Sequence, residues 1–245
     1  MVCVVNMTFN YSENVRINNQ IAQIIPLLIG TLIILFFVKG KLKTLFNKPV
    51  RLWYLLPCLL VAANNLPFIP WISGENRFAN VSVIEIALFI VYCLLIGTFE
   101  ETVFRGALFP ALLSVFNKSK SGLIKAMITS STIFGVTHLI NLISGAGIVE
   151  TLLQVVYTTL IGGMCAFLFF KTNSIIPSII VHVIYNLCGL LFDAKIGLGL
   201  GITIDLPTVI VTVLIGALVG SFVIIKLISC TNEEVEDFYE RLKVN

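Results

Sequence analysis

The length of its uncharged runs constrains this chain more than any other feature. Residues 21–38, IAQIIPLLIGTLIILFFV, carry no charged side chain. About 18 to 20 apolar residues in a helix cross a hydrocarbon layer of roughly 30 Å. Runs of similar character recur to the end of the chain. Hydrophobic residues make up 58% of it and charged residues 12%, against about 25% charged in an ordinary soluble domain. Such a chain either hides an outsized core or is solvated by lipid, and the run lengths favour lipid. The strands of a membrane barrel would alternate in character over about ten residues, and these runs do not. The expected fold is all-α: a polytopic transmembrane helical bundle of about seven spans, at 21–38, 51–70, 82–116, 123–143, 149–170, 175–192 and 207–227. The third run would measure about 50 Å as one helix. Gly106 and Pro110 are where it should bend or break. A break there would make its second half an interfacial helix or an eighth span.

Charge sets the expected orientation. Lys39, Lys41, Lys43, Lys48 and Arg51 crowd the first connection. Lys118, Lys120 and Lys125 flank the third, Lys171 marks the fifth, and Lys226 ends the last span. With seven spans, all of these fall on one side, which the positive-inside rule makes cytoplasmic. The expected organisation is an extracytoplasmic segment 1–20, two variable helices in 21–81, a core at 82–192, a loop and last helix at 193–227, and a cytoplasmic tail 228–245 read as a short solvated helix. The first apolar run follows no charged leader, so it reads as a retained helix. The cell (plasma) membrane is the expected location. The net charge of +3 comes with no basic tract, and no nucleic-acid partner is expected. Six cysteines form no CxxC pair and read as buried free thiols. GLGLG at 197–201 lacks the strand, helix and lysine of a phosphate cradle and reads as a loop or a close approach. Asn6, Asn10 and Asn80 head N-x-S/T triplets on the expected outer side.

Against this background the charged residues of 94–109, LLIGTFEETVFRGALF, stand out. A carboxylate or arginine at bilayer depth costs about 2.5–3.5 kcal/mol on insertion scales, so it persists when it is paired or when it works. Glu101 and Arg105 are four apart and share a helix face, which accounts for two charges. Glu100 points about 100° away and is the natural group to take up and release a proton. The chain has two histidines, His138 and His182, both inside apolar runs. Asn186 lies one turn beyond His182. At 1.5 Å per residue, Lys125 to His138 is about 20 Å and Lys171 to His182 about 16 Å. Separate helices therefore have the reach to bring Glu100, His138, His182 and Asn186 around one polar cavity.

Two chemistries fit these groups. In one, Glu100 takes a proton from water, a histidine orients that water, and the second histidine with the asparagine amide donates to the developing oxyanion of an amide under attack. No cofactor is required. In the other, Glu100, His138 and His182 form a His₂Glu set for a divalent metal such as zinc, although no HExxH helix supports it. No serine or cysteine sits in an evident activating motif beside either histidine.

EETVFR at 100–105, FGVTH at 134–138 and HVIYN at 182–186 fall in the order and spacing of EExxxR, FxxxH and HxxxN motifs. In this the chain resembles the CAAX protease and bacteriocin-processing (CPBP, or Abi) family of intramembrane endopeptidases, type II CAAX prenyl endopeptidases among them. The similarity covers roughly residues 82–192. The resemblance implies that Glu100 activates water with help from His138. It further implies that His182 and Asn186 form the oxyanion hole, and that Glu101 and Arg105 hold the site in shape. Whether a metal takes part is left open by it. The implied partners are membrane lipid and a peptide or protein tail, with or without a lipid group. The implied roles are CAAX-type processing and the processing of, or immunity to, bacteriocins and signalling peptides. A non-catalytic peptide-binding or immunity protein is the first alternative. A proton-coupled transporter is the second, since intramembrane Glu and His also mark proton paths. No inverted repeat surrounds Glu100 to favour it.

Overall fold

A computed structural model describes residues 14–243. Residues 1–13, with Cys3 and the Asn6 and Asn10 triplets, lie outside the described residues, as do 244 and 245. Among the described residues the fold is helical without strands; one isolated bridge joins Phe78 and Gly199. Five helical segments are long and apolar enough to cross a membrane: Val15–Phe37, Val83–Val115, Lys120–Ile143, Ile148–Thr172 and Leu206–Ile228. Leu52–Asn64 and Ile176–Leu190 are apolar but shorter. All seven segments fall where the uncharged runs place them. The chain is thus an all-α polytopic membrane bundle, an integral membrane protein.

Helix α1 (Val15–Phe37) starts six residues before the expected edge, because the Asn14 side chain accepts hydrogen bonds from the backbone N–H groups of Arg16 and Ile17. The second run is not one crossing. After α2 (Leu42–Leu45), α3 (Leu55–Asn64) ends before Pro67 and a separate short helix, α4 (Phe68–Ile72), follows. Proline lacks the N–H that would continue the ladder and disfavours helical backbone at Leu66.

The third run neither breaks nor adds a span. A reciprocal box between Ser82 and Glu85 starts α5 (Val83–Glu101). It passes into a π-helical segment, Thr102–Leu108, and then α6 (Phe109–Val115). Pro110 would drive its ring against the carbonyl four residues back; it sits in the first turn of α6, just beyond the wider π turns.

Helix α7 (Lys120–Thr137) gives way to the short α8 (Ile140–Ile143), and α9 (Ile148–Thr172) packs against α7. The inner helix α10 (Ile176–Leu190) sits between α3, α5 and α9. At about 22 Å it is shorter than the bilayer core. The loop after it folds back, with Leu198 N–H donating to Leu191 O and Gly201 N–H to Phe192 O. Gly199 lies so close to Phe192 that a Cβ would meet its backbone at 2.4 Å. The GLGLG run is therefore a close backbone approach. Arg16 and Gln20 of α1 donate to Gly199 O and Ile196 O of this loop.

Helix α11 (Leu206–Ile228) lies at the lipid-facing edge of the bundle and leads into α12 (Asn232–Arg241). The tail is not the solvated helix expected of it. Val235, Phe238 and Tyr239 of α12, with Leu242, are buried in one cluster with Leu45, Phe109, Leu123 and Phe169. Arg51 and Lys171 both bind Glu234, at 2.7 and 2.8 Å. Lys120 donates to the carbonyls of Ile228 and Cys230, and Lys226 lies over the Trp53 ring. The lysine-rich connections thus meet at one end of the bundle, with α12 fastened across it. Cys58, Cys93, Cys165 and Cys230 are buried and Cys188 half-buried, all as free thiols.

Candidate active site

Glu100 and Glu101 end α5, His138 caps the end of α7, and His182 and Asn186 lie one turn apart on α10. Glycines let these helices close in. A Cβ on Gly97 would meet Val183 Cγ2 at 2.7 Å, so α5 and α10 can touch only with a glycine there. One on Gly135 would meet Val155 O of α9 at 2.7 Å. Both contacts lie about one turn from a site residue, and small residues serve this purpose wherever membrane helices approach closely.

The charges come together in the buried interior of the bundle. Glu101 and Arg105 are 0% exposed, Glu100 6%, His138 and His182 4% each. Arg105 Nη1 donates to Glu101 Oε1 at 3.1 Å, and Nη2 to the Gly162 carbonyl of α9 at 2.7 Å. The guanidinium also lies 4.9 Å from the centre of the Phe134 ring, a cation–π distance.

His182 links the two carboxylates. Its Nδ1 is 2.8 Å from Glu101 Oε1 and its Nε2 3.4 Å from Glu100 Oε2. Successive residues on a helix diverge by about 100°, yet both glutamates reach this one ring from opposite sides. Glu101 is already neutralised by Arg105, so it serves as acceptor for Nδ1–H. At the other contact two lone pairs would repel, so a proton lies on Glu100 or on Nε2.

His138 is arranged differently. Its Nδ1 is 3.0 Å from Phe134 O. A carbonyl only accepts, so Nδ1 carries the hydrogen and Nε2 is left with its lone pair. Glu100 interacts electrostatically with both histidines. Phe134 packs edge-on against both rings, at centroid distances of 5.2 and 5.9 Å. Asn186 Nδ2 is buried with no hydrogen-bond partner among the described residues.

Sequence reading missed three contributors. Gly162 supplies the carbonyl for Arg105, and a Cβ there would stand 3.0 Å from Arg105 Nη2. Phe134 was noted only as a motif letter. Ser130 Oγ donates to Phe104 O within the π segment. Spacing within one run carries no signal for Gly162 or Ser130, since both act between helices.

As arranged, Glu100, His138 and His182 are not grouped as ligands around one point. Among the described residues no three His, Cys, Asp or Glu are grouped to hold an ion. His182 spends one nitrogen on Glu101 and turns the other to Glu100.

Fold and site together define a multi-pass helical membrane protein with an acid–imidazole cluster sealed in its core. Residues 82–188 match the family model described as type II CAAX prenyl endopeptidase Rce1-like, so this segment of the chain is similar to that family of proteases. Every residue of the cluster lies inside the matched segment. Comparison with curated proteins and with solved structures finds no match.

Proposed function

We propose that the chain is an intramembrane endopeptidase in which Glu100 activates water to cleave a peptide bond. One observation carries this reading: Glu100 Oε2 lies 3.4 Å from His182 Nε2, buried beside a Glu101–Arg105 pair that neutralises itself. A water held between Glu100 and the lone pair of His138 Nε2 gives one proton to the carboxylate. Its oxygen forms a bond to the carbonyl carbon, and the carbonyl oxygen takes the negative charge. Asn186 Nδ2 and His182 Nε2–H donate to that oxygen. The proton on Glu100 then passes to the leaving nitrogen as the C–N bond breaks, leaving acid and amine. Glu101 and Arg105 fix the ring of His182 and take no proton.

The substrate is a peptide or protein tail that reaches the site from lipid or from the basic face. That face is read as cytoplasmic, with the N-terminus outside, in the cell membrane. The family description names prenyl endopeptidases, so a prenylated CAAX-type peptide is the first substrate to offer. Its unprenylated twin tests whether the lipid is read. Purified wild type should cleave, while Glu100→Gln and His138→Ala, folded to the same extent, should not. Cleavage that persists in Glu100→Gln would end this reading. Activity that is lost to a chelator and restored by zinc would replace the free water with a metal-bound one.

A further inference from the structure

We propose that a hollow between α2, the end of α9 and α12 binds the phosphate of an anionic phospholipid headgroup. Its volume is about 290 Å³, at the small end of ligand pockets, which suits a headgroup better than a folded partner. Lys43 enters from α2 and Arg241 from the last turn of α12. Asn47 and Asn173 add amides to the lining, and no carboxylate lines it. Asn173 ends α9 in a left-handed conformation, φ 55°.

Both cations have capacity to spare. Asp237 holds Arg241 through Nε and Nη2, at 3.0 and 2.9 Å. That grip orients the guanidinium and leaves Nη1 to another anion. Lys43 takes part in no ion pair among the described residues. Glu234, also on α12, is committed to Arg51 and Lys171. Phe169 and Phe238, with ring centres 5.4 Å apart, give the hollow an apolar wall. A cationic rim beside such a wall, at the level where α1 and α9 end, matches a phosphate attached to glycerol more closely than a free ion. Basic pockets of this placement bind anionic headgroups, and each Lys or Arg near the surface contributes about a fivefold gain in affinity.

The test uses the full chain in neutral detergent, titrated with short-chain phosphatidylglycerol, short-chain phosphatidylcholine and inorganic phosphate, with thermal stability as the readout. Phosphatidylglycerol should bind. Lys43→Gln should weaken it about fivefold and Lys43→Gln with Arg241→Gln roughly thirtyfold. Lys43→Gln breaks no contact, so its melting temperature without lipid should equal that of wild type. Phosphatidylcholine or inorganic phosphate binding as well as phosphatidylglycerol would overturn the assignment. So would a double variant that binds like wild type.

Discussion

Arg105 ties the candidate site together from the core of the bundle. It is fully buried, bonded to Glu101 and to Gly162 O, and stacked near Phe134. Arg105→Ala leaves Glu101 uncompensated and should cost about 3–5 kcal/mol; its yield in membranes, against wild type, measures this. Gly162→Ala is a gentler probe. Its Cβ would stand 3.1 Å from the Phe134 ring and 3.2 Å from Ser131 Cα, so the helices must part. A loss of about 1–3 kcal/mol should appear as a lower melting temperature. Glu100→Gln should leave that temperature near wild type while lowering cleavage at least 100-fold, by the usual worth of an acid–base group of about 10²–10⁴. At this scale the sequence showed much: the spacing of Glu101 and Arg105 specifies their pairing, because i,i+4 geometry is local. It did not show Glu100 meeting His182, which depends on α5 and α10 being neighbours, a matter of tertiary packing.

Among the elements, α12 departs most from its sequence reading. Its acids suggested a solvated helix, but solvation of one face says nothing about a groove waiting for the other. Val235, Phe238 and Tyr239 fill that groove. Glu234 holds the helix down. Partial burial pushes its carboxyl up, but the hydrogen bond and charge of Lys171, with the charge of Arg51, outweigh this and hold it below the usual glutamate range. A carboxyl lowered in the folded state stabilises at pH above its unfolded value, about 4.3, and the contribution is lost as pH falls through the folded value. Protection of the 232–241 amides, taken relative to their intrinsic exchange rate at each pH, should therefore be high at neutral pH and fall below about pH 4. Glu234→Gln should show the lowered protection at every pH. The π segment was equally illegible: Gly106 and Pro110 announced a deformation, but its kind depends on how α5, α7 and α9 pack around it.

For the whole molecule, the uncharged runs were enough to give the class and the positions of the apolar segments. They could not tell a full crossing from a half-length helix such as α3 or α10, because a buried inner helix is as apolar as a lipid-facing one. Packing brings Arg51, Lys120, Lys171 and Lys226 to one end and Arg16 with the 193–205 loop to the other. Single cysteines at Lys48 and Lys118 should react with an impermeant maleimide only from the cytoplasmic side, and one at Lys195 only from outside. Labelling of Lys48 and Lys195 from the same side would refute the proposed topology.

Only two imidazoles exist in the whole chain, and each has one nitrogen committed to a fixed oxygen. Nitrogen-15 labelling of histidine would thus yield two resolvable pairs of signals from an unmutated protein in its native lipid. The signal of His182 Nε2 would report directly whether the mobile hydrogen rests on the ring or on Glu100, before and after an inhibitor enters. The arrangement that seals the charges away also equips the protein with a built-in reporter of its own protonation.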